Sequence, residues 1–178
     1  PHRPARRPQS SPPSHDQPVG PLRAGLRGQP IAYSTASVGI EVVLKDISIE
    51  KAEKGKAYTA KVFDKQIARG RMREADKKAA LAKIVATDRY DALQECDLII
   101  EAVFEDVALK KKVIAEAAPY LAEKGVFDSN TSALPITELA NAFSKPENFV
   151  GAHFFSPVDK MPLIELISGE KTCLLYTS

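Results

Sequence analysis

From Ile31 to Ile167 the apolar positions follow two alternating rhythms. Ile31–Val38 reads as the remainder of a helix closed by Gly39, and "IEVVLKD" (40–46) is a short β-branched run ending in an acid. Ser48 opens a long charged amphipathic stretch to about Arg69. Ser48 and Lys51 do not make a capping box, but Glu50 and Glu53 suit the first turn of a helix. "READKKAALAKI" (73–84) predicts a further helix, and "CDLIIEAV" (96–103) is the continuous apolar run of a strand covered on both faces. A helix over 105–123, a strand with a turn over 125–130 and a helix over 135–143, with Pro135 in its first turn, come next. "NFVGAHFF" (148–155) and "LIELI" (163–167) finish as strands. Strands alternating with helices predict an α/β fold, a doubly wound and mainly parallel sheet with helices on both faces.

Residues 1–30 break this pattern. They hold eight of the 13 prolines and almost no large apolar groups, so the segment is expected to be a disordered tail. They also concentrate charge: Arg3, Arg6, Arg7, Arg23 and Arg27 face Asp16 alone, so the net charge of +2 hides a slightly acidic body. An acidic body without interleaved aromatic and basic residues argues against nucleic-acid binding. No apolar run approaches the ~20 residues of a membrane span. Cys96 and Cys173 have neither metal-ligand spacing nor disulfide density, which fits a reducing, cytoplasmic setting, and no metal site is expected.

In a doubly wound sheet, ligands bind beyond the carboxyl ends of the strands. Four polar spots fall there: the loop after Asp46, the "EAVFED" loop, "SNTS" (129–132) and the end of "GAHFF". Asp46 lies 21 residues after Gly25, with Gly28 between them. That is close to the ~20-residue offset at which an acid holds a dinucleotide ribose and disfavours the extra phosphate of NADP. A solvated strand-end aspartate accounts for the same spacing equally well. "SNTS" reads first as a turn whose Thr131 or Ser132 hydroxyl caps the next helix, and second as a substrate contact. His153 in an apolar strand could be a satisfied core group. Glu165, an acid inside "LIELI", needs a partner if buried, and His153 is the candidate. Such a pair fixes the imidazole tautomer and leaves one nitrogen to take a proton, which beside a nicotinamide equips a site to oxidise an alcohol. The triple lysine 110–112 reads as a solvated helix face.

"DLIIEAVFED", "SNTSALPITELA" and "GAHFFSPVDKMPLIELI" together resemble the NAD-binding, Rossmann-like domain of 3-hydroxyacyl-CoA dehydrogenases, in the form found in multifunctional fatty-acid β-oxidation proteins. The resemblance covers residues 31–171. It implies oxidation of an (S)-3-hydroxyacyl-CoA to the 3-ketoacyl-CoA with NAD, with His153 as base, Glu165 orienting it and Ser132 on the substrate oxygen beside the nicotinamide. It further implies Asp46, Glu105, Lys110, Ser156 and, in the glycine loop, Gly25 and Gly28 on the cofactor. Lys56, Lys61 and Lys65 on the arm over 50–70 are expected to face CoA phosphates. A 3-hydroxybutyryl-CoA or related 3-hydroxyacid dehydrogenase, or a non-catalytic NAD-binding module, would share these motifs.

The departures are equally specific. "PVGPL" makes a poor first strand, Arg23 stands for the first loop glycine, Pro30 is expected to break the first helix, and Asp128 replaces a small residue. The helical second domain, with its dimer interface, is not present after residue 171, and "CLLYTS" reads as a translated adaptor. The expectation is therefore a fragment with non-native ends (1–30 and 172–178) and little activity in isolation, whose parent is a homodimer or part of a multifunctional complex.

Overall fold

The computed structural model of the chain describes residues 19–21, 28–155 and 164–173. Seven strands form one sheet: β1 (Val19–Pro21), β2 (Val42–Lys45), β3 (Ile84–Thr87), β4 (Cys96–Glu101), β5 (Leu121–Ser129), β6 (Phe149–Phe154) and β7 (Ile164–Ser168). Their order is β3-β2-β1-β4-β5-β6-β7, parallel up to β6, with β7 antiparallel at the edge. Five helices connect them: α1 (Gly28–Ser37), α2 (Ile49–Ala68), α3 (Glu74–Ala82), α4 (Val107–Ala117) and α5 (Ile136–Ala140). This is the expected doubly wound α/β sheet.

Strand register sorts the side chains into two cores. Val43, Ile99, Phe127 and Phe149 point to one face, where Val113, Ile114 and Ala117 of α4 and Ile136, Leu139 and Ala140 of α5 cover them. Phe127 stacks on Phe149 at 5.7 Å. Val42, Leu44 and Ile84 point to the other face, against Ala32 and Ala36 of α1. Asp128 lies on the α1 face, because Val42 and Leu98 both pair with Val19, Leu98 pairs with Val126, and strand side chains alternate.

Several expectations are corrected. Two parts of the segment expected as a tail belong to the fold, Gly28–Pro30 in α1 and Val19–Pro21 in the slot between β2 and β4, where two flanking backbones fix a strand of poor intrinsic propensity; the rest of that segment lies outside the described residues. Pro30 does not break α1, since it is the third residue of that helix, where a backbone N–H would have no intrahelical acceptor. β3 is an additional strand, foreshadowed by the β-branched residues of "KIVAT". α4 ends at Ala117 and Pro119 starts the following single turn, so β5 begins at Leu121 rather than 125. The remaining elements match within a few residues. Ser48 does cap α2, its hydroxyl accepting from the Lys51 amide at 3.4 Å. Among the described residues, no helix is long and apolar enough to cross a membrane and no cluster could hold a metal ion.

Candidate functional site

The carboxyl ends of β2, β4, β5 and β6 lie along one edge of the sheet, and each delivers polar groups there. Asp46 directly follows β2 and is only 2% exposed, with Oδ1 accepting from the Ile47 amide at 2.6 Å. Burial removes the solvated-aspartate alternative. Gly28 opens α1 and is buried, so the end of the segment expected to carry the glycine loop runs into a helix N-terminus. Gly25 and Arg23 lie outside the described residues, as does Ser156.

Beyond β4, Glu105 reaches across to the turn after β5. Its carboxylate accepts from the Thr131 hydroxyl at 2.7 Å, the Ser132 amide at 2.8 Å and the Ser132 hydroxyl at 3.2 Å. Partial burial pushes the Glu105 carboxyl up, but these donors and the Lys110 charge outweigh it and hold it below the usual range. Thr131 also accepts from the Ala133 and Leu134 amides at 3.3 and 3.0 Å and so closes its own turn, but it does not cap the next helix as expected, because α5 begins after Pro135 with no side-chain cap. Ser132 stays exposed.

Ser129 pairs with Gly151, so the 131–132 turn and His153 stand at one level on neighbouring strands. His153 faces Glu165 across the β6–β7 pair, with Nδ1 3.5 Å from Oε2. The expected pair therefore forms. Its premise of a buried carboxylate does not hold, because the Glu165 side chain is 59% exposed while that of His153 is 25% exposed. The pairing comes from cross-strand register. Phe155 packs on the imidazole at 4.6 Å between ring centroids.

Beneath the edge is a buried ion pair that the sequence reading missed. Lys110 Nζ donates to both Glu101 oxygens at 2.9 and 3.0 Å, and to the Val103 and Asn130 carbonyls at 3.3 and 3.2 Å. Both side chains are fully buried. Ser129 donates its hydroxyl to Glu101 at 2.7 Å. This corrects the solvated-face reading of Lys110. It is not part of a solvated face, although Lys112 is exposed. Its ammonium holds the ends of β4 and β5 together from below. The signal was present: Glu101 ends an apolar strand and needed a buried cation.

Asp128 and Asn130 complete the edge on the α1 face. Asp128 is 3% exposed, and its Oδ1 finds no hydrogen-bond partner among the described residues. Burial drives its carboxyl well above the ordinary range. The Ala152 amide pulls it down, the Glu101 charge pushes it up, and Lys110 offsets part of that. Asn130 is 2% exposed, and neither Oδ1 nor Nδ2 has a hydrogen-bond partner among the described residues.

The arm lysines divide. Lys61 and Lys65, four residues apart on α2, line a surface hollow of about 430 Å³ with Tyr58 and Arg69. Lys56 is not among its lining residues. α2 joins β2 to β3, at the far end of the sheet from His153. Four strand spacings separate β2 from β6, about 19 Å.

Residues 19–174 match the family profile described as "3-hydroxyacyl-CoA dehydrogenase, NAD binding domain". The chain belongs to this family. It is 42% identical over 151 residues to the fatty acid oxidation complex subunit alpha of Psychrobacter arcticus, an alignment covering 85% of this chain and 21% of that protein. Among solved structures, the (S)-3-hydroxybutyryl-CoA dehydrogenase of Ralstonia eutropha superposes with a TM-score of 0.84 at 41% identity, over 88% of this chain and 55% of the other. The 3-hydroxybutyryl-CoA dehydrogenase of Escherichia coli gives 0.83 at 30% identity, over 88% and 34%. The chain thus spans about a fifth of the first relative and about half of the second.

Two observations test the fit of NAD to this 3-hydroxyacyl-CoA dehydrogenase domain. A buried acid ends β2, where a ribose hydroxyl pair would be met, and an unpaired buried amide ends β5. Both suit a dinucleotide lying across the strand ends.

Proposed function

We propose that the chain is the cofactor half of an NAD-dependent dehydrogenase acting on (S)-3-hydroxyacyl-CoA, with His153 as the base. The single observation carrying this reading is the convergence of His153, backed by Glu165, with the clamped Ser132 turn at one level of the strand ends. Asp46 would hold the adenosine ribose, and Gly28 with Gly25 the diphosphate. Ser132, Glu105 and Ser156 would stand on the nicotinamide side, and Lys61, with Lys56 or Lys65, would meet CoA phosphates. NAD, when bound, supplies the hydride acceptor. Glu165 orients the imidazole through Nδ1 and stabilises it once protonated. The other nitrogen then takes the hydroxyl proton, a step worth about 10²–10⁴-fold in rate. Ser132 places the substrate oxygen by turning its hydroxyl proton from Glu105 to it, while the Ser132 amide stays on Glu105 and fixes the turn.

A helical second domain, assembly of the parent as a homodimer or multifunctional complex, and a cytoplasmic setting belong to the same proposal. The buried Cys96 thiol, pushed up to about 11 by burial, is suited to a packing role.

The test combines calorimetric titration with NAD+ and NADH-dependent reduction of acetoacetyl-CoA, the latter with a helical domain supplied in trans. Binding, with turnover that His153→Gln abolishes, is expected. Binding without turnover, even with that domain, would make the chain a non-catalytic NAD-binding module. A preference for NADPH would overturn the role given to Asp46.

A further inference from the structure

Among the described residues, Asn130 is the one residue of the "SNTS" turn whose side chain makes no hydrogen bond. Ser129 donates to Glu101, Thr131 donates to Glu105, and Ser132, which also reaches Glu105, is the substrate-side hydroxyl of the proposed reaction. The backbone of Asn130 is held on both sides: its amide donates to the Glu101 carbonyl at 2.7 Å, and its carbonyl accepts from Lys110 at 3.2 Å. The side-chain amide is therefore held by a rigid frame, yet both of its polar atoms are buried and, among the described residues, unpaired. A buried carboxamide with no partner costs stability. A fixed and unsatisfied donor–acceptor pair is the equipment of a preorganised binding group.

The face it occupies narrows the ligand. Alternation from Asp128 places Asn130 on the α1 face of the sheet, the side on which α1 begins at Gly28. His153 aligns with Ser129 and Gly151 on the opposite face. A group lying across the strand ends would meet His153 from one side and Asn130 from the other. The nucleotide side belongs to the helix N-terminus, which favours diphosphate.

We infer that the Asn130 carboxamide recognises the carboxamide of the nicotinamide ring, accepting from its NH2 and donating to its oxygen. This rests on the NAD reading above. It makes Asn130 a specificity residue for the nicotinamide end and gives a reason for an otherwise costly buried amide.

The experiment compares calorimetric affinities of the full chain for NAD+ and for ADP-ribose, which lacks the nicotinamide, in wild type, Asn130→Ala and Asn130→Asp. Thermal melting of each ligand-free protein is measured alongside. NAD+ affinity is expected to fall about tenfold in both variants, as for one lost hydrogen-bonded pair. ADP-ribose affinity should stay within about twofold, and ligand-free Asn130→Ala should melt no lower than wild type, because no native hydrogen bond is removed. Equal losses for both ligands, or no selective loss, would overturn the inference and leave the NAD reading standing. A lower melting temperature with an unchanged NAD+ to ADP-ribose ratio would make Asn130 structural. Wild-type chain that binds neither ligand would overturn the NAD reading and this inference with it.

Discussion

Lys110→Met tests the buried ion pair beneath the site. The substitution keeps the length and apolar stem of the side chain but removes an ammonium that donates to four oxygens. Among the described residues, it leaves the fully buried Glu101 carboxylate with the Ser129 hydroxyl at 2.7 Å and the Val103 amide at 2.5 Å as its remaining donors. At ~3 Å and an effective dielectric of ~20, the lost attraction is about 5 kcal/mol. Measured losses on breaking buried pairs run to about 3–5 kcal/mol. For a chain of this size each kcal/mol moves Tm by about 2–4 °C, so a drop of roughly 10 °C is expected. The chain has no Trp, so urea unfolding is best followed by far-UV circular dichroism. Adding Glu101→Gln removes the stranded charge and should recover most of the loss. A loss below about 1 kcal/mol, or a double variant no more stable than Lys110→Met, would refute the reasoning.

Three further outcomes are expected. The raised Asp128 pKa means that the folded chain holds this proton more tightly than the unfolded chain does. Its stabilising contribution is complete below the unfolded value of about 4 and is lost as pH rises through the folded value. Asp128→Asn should therefore raise Tm at neutral pH and flatten its decline with pH, and an unchanged slope in melting curves would count against this. Gly151→Ala would place a Cβ 2.3 Å from Ile136 Cδ1 and 2.6 Å from its Cγ1. A loss of about 1–3 kcal/mol in urea unfolding is expected from overpacking, relieved in part by adding Ile136→Val. Glu165→Gln should lower kcat for the proposed dehydrogenation about tenfold with little change in KM, the modest size following from an exposed carboxylate at 3.5 Å. Steady-state kinetics that show a KM effect alone would remove Glu165 from the orienting role.

The legible parts of the sequence were those in which one physical demand acts on a local stretch. Apolar runs gave β4 and β6, and helical periodicity with Ser48 and an acid-rich first turn gave α2. The His153–Glu165 pair was reached by a burial argument that the 59% exposure of Glu165 contradicts, although the pair itself forms across the strands. The same argument applied to Glu101 would have found Lys110. Three adjacent lysines instead suggested a wet surface, and no local pattern shows which of three consecutive helical positions turns inward.

By itself the sequence determined the order of strands and helices, and it placed polar residues directly after apolar strands, because backbone periodicity and side-chain hydropathy are local properties. It also marked Asp46, Ser132 and His153 as candidates. Tertiary structure alone decided that Val19–Pro21, weak as an isolated strand, is held between β2 and β4. It decided that Lys110 lies inside, that Lys61 and Lys65 share a hollow without Lys56, and that Asn130 is buried with its amide unpaired among the described residues. Each of these depends on which distant backbone or charge lies alongside, and that is set by sheet register and helix packing across the whole domain.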